Sequence, residues 1–207
     1  MKVEHTVHRL FPIPLFQFQV EDDEFNERQL NLLKEQDFEA RTEGRVHTTI
    51  GDLHTKPRFA ELNTMIRGCL EHLRETYRYE CKEFEVNSMW GNITYPGDSH
   101  HHHFHPNAFL SGVYTPGPIN SPVMFRDPNM QLRQSAISVT NERGQNDDLF
   151  GLARTAPQDR GSIFLFPWYL LHQVAENPGP DPRYSIAFNV VPRGPIGSLE
   201  NLTYLHL

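Results

Sequence analysis

The first part of the chain carries apolar residues at helical spacing in two segments. Residues 22–38 begin with acidic side chains and continue with apolar residues three and four positions apart, which predicts a helix. Residues 59–77 show the clearest amphipathic pattern and predict a second helix that packs against a sheet. Its apolar stripe consists of Leu62, Met65, Ile66, Cys69, Leu70 and Leu73. Residues 39–57, with Gly, Thr and Pro, are expected to form a loop.

Elsewhere the pattern is that of strands. Residues 9–20 alternate loosely with a period of two and predict an N-terminal strand that Pro12 and Pro14 interrupt. From about residue 83, short β-rich runs alternate with turns that contain Pro and Gly. These runs are residues 84–95, 101–105, 108–115, 122–126, 136–140, 149–155, 162–167, 171–175 and 183–191. So many short strands predict a mainly β fold, a jelly roll or barrel, with the helices supporting one face.

The composition fits one globular domain. The chain has 207 residues, 38% of them hydrophobic, and 14 Phe, which together can form an aromatic-rich core. We predict an N-terminal strand and buttressing helices in residues 1–82, the jelly-roll core in 83–195 and a tail in 196–207. The formal net charge of −7 and the lack of a Lys/Arg run argue against nucleic acid as a main partner.

Two features bear on location. The N-terminal sequence has charges and prolines where a secretory signal needs an uninterrupted apolar run, and no stretch approaches 18 apolar residues. The two cysteines cannot form a disulfide framework. We therefore expect a cytoplasmic location and no membrane partner.

Histidine is unusually frequent, with 12 residues in the chain. Side chains at i and i+2 of a strand point to one face, so a His-x-His pair can reach one ion inside a barrel. Residues 100/102, 101/103 and 103/105 all have this spacing. We favour His103 and His105, because Pro106 and a predicted strand follow directly. The preceding histidines, His100 to His102, are expected to form a solvated turn, from which one or two can still orient ligands.

His172 is the predicted third ligand. It follows a buried apolar run at residues 163–167 that leads to the barrel rim. A lone histidine there is more often a hydrogen-bonded core or surface residue, but the upstream pair favours a metal ligand. Three imidazoles would leave positions open on the metal, as a catalytic site requires. Imidazole suits Fe, Zn, Cu and Ni alike, so the ligand type does not select the metal.

Arg183 begins an apolar strand on which period two places Arg183 and Ser185 on one face. An arginine inside a barrel needs an anionic partner, because burying an unpaired charge is costly. A bidentate bond to a ligand carboxylate, with Ser185 as an additional donor, would provide one. A salt bridge to a protein carboxylate and an exposed position at the rim are the alternatives.

Taken together, these segments resemble the Fe(II)- and 2-oxoglutarate-dependent oxygenases, and more narrowly a small bacterial and phage subfamily. The similar segments are Leu10 to Pro14, Trp90 to Asn92, His103 to Pro106, Ser111 to Tyr114, Gly161 to Val174 and Arg183 to Asn189. The fold that this resemblance implies is a double-stranded β-helix, a cupin-like jelly roll with supporting helices. It agrees with the number of predicted strands.

The resemblance implies Fe(II) as cofactor, with 2-oxoglutarate and O2 as cosubstrates. His103, His105 and His172 would be the iron ligands, while Arg183 with Ser185 would hold the distal carboxylate of 2-oxoglutarate. Three further residues are candidates for cosubstrate contacts: Tyr95, Asn92 and Asn189. A packed strand-end tyrosine, or asparagines that satisfy backbone groups, are the alternative interpretations.

One position departs from the wider superfamily, which usually has Asp or Glu where this chain has His105. A neutral imidazole leaves one more positive charge at the site, which should strengthen anion binding.

The predicted function is hydroxylation of a C–H bond in a small molecule or peptide, with release of succinate and CO2. The alternatives are a three-histidine metalloenzyme that does not use 2-oxoglutarate and a non-catalytic metal- or anion-binding module. The resemblance also allows a homodimer.

Overall fold

The computed structural model describes residues 3–41, 46–130 and 151–207. The predicted strand at residues 136–140 lies outside these ranges, as do residues 149–150 of the next predicted strand. The helices are α1 (Asp23–Lys34) and α2 (Ala60–Thr76), with short 3-10 turns at Leu53–Thr55 and Pro57–Phe59 before α2. Both predicted helices are confirmed, each a few residues shorter than expected.

The strands, in chain order, are β1 (Phe16–Gln19), β2 (Glu39–Arg41), β3 (Val46–Thr48), β4 (Glu83–Thr94), β5 (His100–His103), β6 (Leu110–Tyr114), β7 (Val123–Arg126), β8 (Ala153–Thr155), β9 (Ser162–Pro167), β10 (Leu171–Val174), β11 (Arg183–Arg193), β12 (Pro195–Ile196) and β13 (Leu205–His206).

Two antiparallel sheets carry the architecture. The larger sheet has the order β1-β9-β6-β11-β4-β3-β2, and the smaller has the order β5-β10-β7-β8. From β4 to β11 the chain passes back and forth between the two sheets, except that β7 and β8 are neighbours in the smaller sheet. This is the double-sheet arrangement of a jelly roll. The predicted double-stranded β-helix with supporting helices is confirmed.

Local sequence explains where the helices begin and what they bury. The Asp22 carboxylate accepts a hydrogen bond from the Phe25 backbone N–H at 2.9 Å and caps α1. In α2, one stripe is fully buried against the larger sheet, as its period predicts. This stripe consists of Leu62, Ile66, Leu70 and Leu73.

Strand β11 lies near the middle of the larger sheet, between β6 and β4, and has two buried faces. Ile186 and Phe188 pack into the core beneath the helices. Arg183 and Ser185, on the other face, line a cavity between the two sheets. The period of two therefore divides this strand into a structural face and a face that serves the cavity.

The predicted loop at residues 39–57 is wrong in part, because β2 and β3 extend the edge of the larger sheet there. His47 pairs with Ile93 of β4, and next to β3 the Thr49 hydroxyl accepts a hydrogen bond from the Gly91 N–H at 3.0 Å. Strands of three residues are too short to show alternation. The N-terminal strand is confined to Phe16–Gln19, beyond the two prolines that cannot donate ladder hydrogen bonds.

In the described parts of the chain, neither helix combines the length and the apolar character needed to cross a bilayer.

We predict that Gly161→Ala destabilises the protein more than Gly97→Ala. Both glycines have a left-handed φ, +85° and +81°, so the backbone cost of about 1–2 kcal/mol is shared. A Cβ at Gly161 would lie 2.2 Å from the Val20 carbonyl oxygen, whereas one at Gly97 meets nothing within 4 Å. The clash should lower the free energy of unfolding by about 1–3 kcal/mol more at Gly161, measured by urea denaturation. Equal losses would contradict the close approach of β1 to this turn.

Candidate metal centre

Three histidine side chains converge between the two sheets. His103 ends β5 and lies directly opposite His172 of β10 in the antiparallel register. His105 lies two residues beyond the end of β5, where its backbone N–H donates to the Trp168 carbonyl at 3.2 Å. One ring nitrogen from each of the three histidines lies within 4.8 Å of the other two. The arrangement brings together three potential ligands from two different parts of the chain.

The hydrogen bonds of the three rings determine which nitrogen faces the centre. The Nδ1 of His103 lies 2.9 Å from the His101 carbonyl oxygen, and the Nδ1 of His172 lies 2.9 Å from the Leu170 carbonyl oxygen. The Nδ1 of His105 lies 2.8 Å from the Asn189 side-chain oxygen. Each of these oxygens can only accept, so each Nδ1 carries the proton. All three rings therefore present an Nε2 lone pair, the form in which imidazole binds a metal.

Burial keeps these rings neutral. It lowers the pKa of His172 to about 2 and that of His103 to about 4, and it also lowers the pKa of His105. His172 and His105 are only 6% and 7% exposed. Neutral imidazoles need no deprotonation before they bind a metal, so the centre is prepared for an ion at neutral pH.

Arg183 lies in the same cavity and is 1% exposed. Its Nη1 donates to the Ser185 hydroxyl at 3.0 Å. Its Nε and Nη2 have no hydrogen-bond partner, and no ion pair joins it to an Asp or Glu in the described ranges. Burial lowers its pKa to about 10, which still leaves the guanidinium charged at neutral pH. The cavity therefore contains a cation with two donor nitrogens that are available to a ligand.

Of the three other predicted site residues, Asn92 lines the cavity, whereas Asn189 and Tyr95 do not. Asn92 lines the cavity beside Ser185, its partner across the sheet. Asn189 instead holds His105. Tyr95 is 39% exposed, and its ring packs edge-on against His47 at 4.8 Å. Tyr95 is not among the described residues that line the cavity.

The expected solvated turn at His100 to His102 is wrong, because these residues form part of β5. The ring of His100 stacks on that of His103, with centroids 4.1 Å apart and planes 23° apart. His100 pairs with Val174 across the strands and lines the cavity. The histidine run forms a strand because it pairs with β10, and the sequence of the run alone does not predict that pairing.

Sequence reasoning did not assign Trp90, Thr94 and Ser99 to the cavity that they line. Trp90 lies with its ring 5.3 Å from that of His105, and Phe166 lies 4.8 Å from His172. Trp90 could have been found, because it lies two residues before Asn92 on the same predicted strand and thus on the same face. Thr94 follows by the same period, while Ser99 lies in the turn before β5 and had no pattern to indicate it.

Comparison with protein families finds one match. Residues 88–189, which include all three histidines and Arg183, match the model of a family described as "Putative 2OG-Fe(II) oxygenase". The resemblance inferred from the sequence is confirmed by this match. No curated protein matches the chain.

Solved structures share the fold at low sequence identity. The "non-heme alpha ketoglutarate dependent carbocyclase SnoK from nogalamycin biosynthesis" is 12% identical with a TM-score of 0.64, covering 88% of this chain and 81% of that chain. HygX from Streptomyces hygroscopicus, with nickel and 2-oxoglutarate bound, is 13% identical with a TM-score of 0.61, covering 87% and 83%. A prolyl-4-hydroxylase from Pseudomonas putida is 10% identical with a TM-score of 0.60, covering 88% and 94%.

We predict that Asn189→Ala weakens metal binding by about 10- to 100-fold, the usual effect of removing a group that orients a ligand. The change frees the His105 ring to rotate and to take the other tautomer. Titration with Co(II), followed by its visible absorption, measures the affinity. Asn201→Ala, at an exposed residue of the C-terminal tail, is the matched control. An unchanged affinity in Asn189→Ala would show that this hydrogen bond does not orient the ring.

We also predict that the metal-free protein loses stability as the pH falls below about 6.5, the ordinary histidine value. The pKa of His172 is lowered in the folded state to about 2, so the unfolded chain binds this proton first and is favoured as the pH falls. His172→Gln should reduce the slope of the unfolding free energy against pH by about 1.4 kcal/mol per pH unit between pH 6 and 4.5. Urea denaturation at each pH measures it. His8→Gln, at an exposed residue, should leave the slope unchanged, and equal slopes in both variants would contradict the prediction.

Proposed function

We propose that the chain is a 2OG-Fe(II) oxygenase, the family whose model residues 88–189 match, and that it couples the oxidative decarboxylation of 2-oxoglutarate to hydroxylation of a substrate C–H bond. Fe(II) is the proposed metal, with O2 and 2-oxoglutarate as cosubstrates. One oxygen atom of O2 enters the alcohol and the other enters succinate, while CO2 is released. We propose His103, His105 and His172 as the metal ligands.

The observation that carries this proposal is the pairing of a three-imidazole centre with a buried, incompletely bonded guanidinium. A metal site alone would not require Arg183, because the centre forms without it. A buried cation with two free donors is costly unless a ligand completes it. A dicarboxylic acid that reaches from the metal to Arg183 would satisfy both groups at once.

The residues that line the cavity have different roles in the proposed reaction. The bound metal and 2-oxoglutarate supply the oxidative chemistry. Arg183 and Ser185 hold the distal carboxylate by charge-assisted hydrogen bonds and so orient the dicarboxylic acid. Asn92 offers a further polar contact from the neighbouring strand. The apolar side of the cavity excludes water and strengthens these interactions. It is formed by Trp90, Val113, Val123, Phe166 and Val174.

Two other functions remain less favoured. A cupin-like three-histidine enzyme that does not use 2-oxoglutarate would share the barrel and the imidazoles, and a non-catalytic metal- or anion-binding module would share the whole site. The first alternative does not account for a buried arginine beside the imidazoles. The second shares the arginine as well, so turnover, and not geometry, distinguishes it from an oxygenase. The substrate class, a small molecule or a peptide, the cytoplasmic location and a homodimer stay predictions.

We predict that anaerobic addition of Fe(II) and 2-oxoglutarate produces a weak visible charge-transfer band. Arg183→Ala should raise the dissociation constant for 2-oxoglutarate by roughly 10- to 100-fold, because hydrogen bonds to a charged group contribute about 1.5–3 kcal/mol. Affinity for the metal alone should not fall, because Arg183→Ala removes a like charge and no proposed ligand. Arg58→Ala, which removes an arginine from a surface ion pair with Glu35, is the matched control.

The absence of a band in the native protein would refute the use of 2-oxoglutarate. An unchanged 2-oxoglutarate affinity in Arg183→Ala would refute the assignment of Arg183 alone. Succinate release under air, measured without added substrate, separates an oxygenase from a non-catalytic binding module.

A further inference from the structure

His100 lies in the cavity, although its spacing from His103 does not predict this. Three positions along a regular strand place two side chains on opposite faces. In the pairing of β5 with β10, His103 lies opposite His172. His100 lies opposite Val174, so three steps along β5 match two steps along β10, which is a β-bulge. The bulge turns the rings of His100 and His103 to the same face, and both line the cavity.

His100 lies towards the end of the cavity that contains Arg183. Its partner Val174 is the last residue of β10, and from there the chain continues to Asn177. The side-chain amide of Asn177 donates to the Thr94 carbonyl at 3.0 Å, which ties this end of β10 to the end of β4. Thr94 pairs directly with Arg183 on β11. A dicarboxylic acid that reaches from the metal to Arg183 therefore passes the wall to which His100 belongs.

The ring of His100 offers a hydrogen-bond donor that the described residues leave free. It stacks on the ring of His103, and neither of its nitrogens has a hydrogen-bond partner in the described chain. The Nδ1 of each proposed metal ligand, by contrast, is already engaged. An imidazole carries at least one N–H in either protonation state. His100 is not a member of the group whose ring nitrogens lie within 4.8 Å of one another, so its donor lies beside the metal centre and the ring is not one of the ligands.

We propose that His100 is a further cosubstrate-binding residue, whose ring N–H donates to the carboxylate of 2-oxoglutarate next to the oxo group, the end that faces the metal. This inference rests on the proposed function. The other end of the dicarboxylic acid belongs to Arg183, whose Nε and Nη2 are free to hold it. The His100 ring lies against His103, a proposed metal ligand, so its donor is placed to reach a group on the metal. A carboxylate accepts such a bond strongly, because it is charged and the apolar walls exclude water.

The test is a binding measurement and needs no turnover. His100→Phe keeps a flat ring that can stack on His103 and removes the N–H. In Ni(II)-loaded protein titrated by calorimetry, His100→Phe should raise the dissociation constant for 2-oxoglutarate by about tenfold or more, the effect of losing a hydrogen bond to a charged group. Affinity for Ni(II) alone should not change. His206→Phe, at an exposed residue of β13, is the matched control.

A shorter ligand distinguishes the two ends of the acid. The ligand 2-oxobutyrate has the same carboxylate and oxo group but no second carboxylate for Arg183 to hold. His100→Phe should weaken binding of 2-oxobutyrate and 2-oxoglutarate by similar factors, whereas Arg183→Ala should weaken binding of 2-oxoglutarate alone. The visible band of the anaerobic Fe(II) complex, at saturating 2-oxoglutarate, is a second measurement, and its maximum should move in His100→Phe. A loss confined to 2-oxoglutarate, or an unmoved maximum, would overturn the assignment of His100 to the metal-facing end.

His100→Gln is the conservative variant, because its amide keeps an N–H donor without the ring. It should lose less affinity for 2-oxoglutarate than His100→Phe does, and the reverse order would overturn the proposal. If thermal denaturation shows that His100→Phe does not fold, His100→Leu replaces it as the variant without a donor. Failure of the native protein to bind Ni(II) or 2-oxoglutarate would refute the proposed function itself. Binding of both, with equal 2-oxoglutarate affinity in the native protein and His100→Phe, would overturn only the role of His100.

Discussion

A buried arginine that has no counter-ion among the described residues is the constraint on which this site depends. Arg183 is 1% exposed, and two of its donor nitrogens have no partner in the described chain. Holding a charge in this way costs several kcal/mol unless a ligand or protein group compensates it. The remainder of the domain must provide that stability. The helix-packed face of the larger sheet provides this stability, because Leu62, Ile66 and Phe188 are fully buried there.

Strand β11 links that stable core to the site. Its alternate residues pack beneath the helices, as Ile186 does, or face the cavity, as Arg183 and Ser185 do. Asn189, on the cavity-facing side of the same strand, orients the His105 ring. One centrally placed strand thus carries Arg183 and orients the His105 ring, two parts of the proposed site, so their separation depends on the packing of the core.

The three imidazoles are oriented mostly by the backbone. Two of them donate to carbonyls two residues away in their own strand segments, His103 to His101 and His172 to Leu170. Only His105 relies on a distant side chain. Among the described residues, Asn189 is therefore the side chain by which β11 orients one of the three rings. The other two rings are kept in their neutral form by hydrogen bonds to nearby backbone carbonyls.

Much of this could be predicted from the sequence, because the signals were local. The period of 3.6 found α1 and α2, and the period of two identified the shared face of Arg183 and Ser185. The i, i+2 spacing of His103 and His105 indicated one metal-facing pair. The prediction failed for short segments because it relied on local periodicity. Strands β2 and β3, with three residues each, are too short to show one.

Pairing between distant strands was beyond local signals. The register that sets His172 opposite His103, the stacking of His100 on His103 and the contact of Asn189 with His105 all join residues through the sheets. The sequence by itself determined which chemical groups the protein possesses and which of them share a strand face, since both follow from nearest neighbours along the chain. Only the tertiary structure decided which faces meet and that two donor nitrogens of Arg183 have no partner among the described residues, because burial and register depend on the packing of the whole domain.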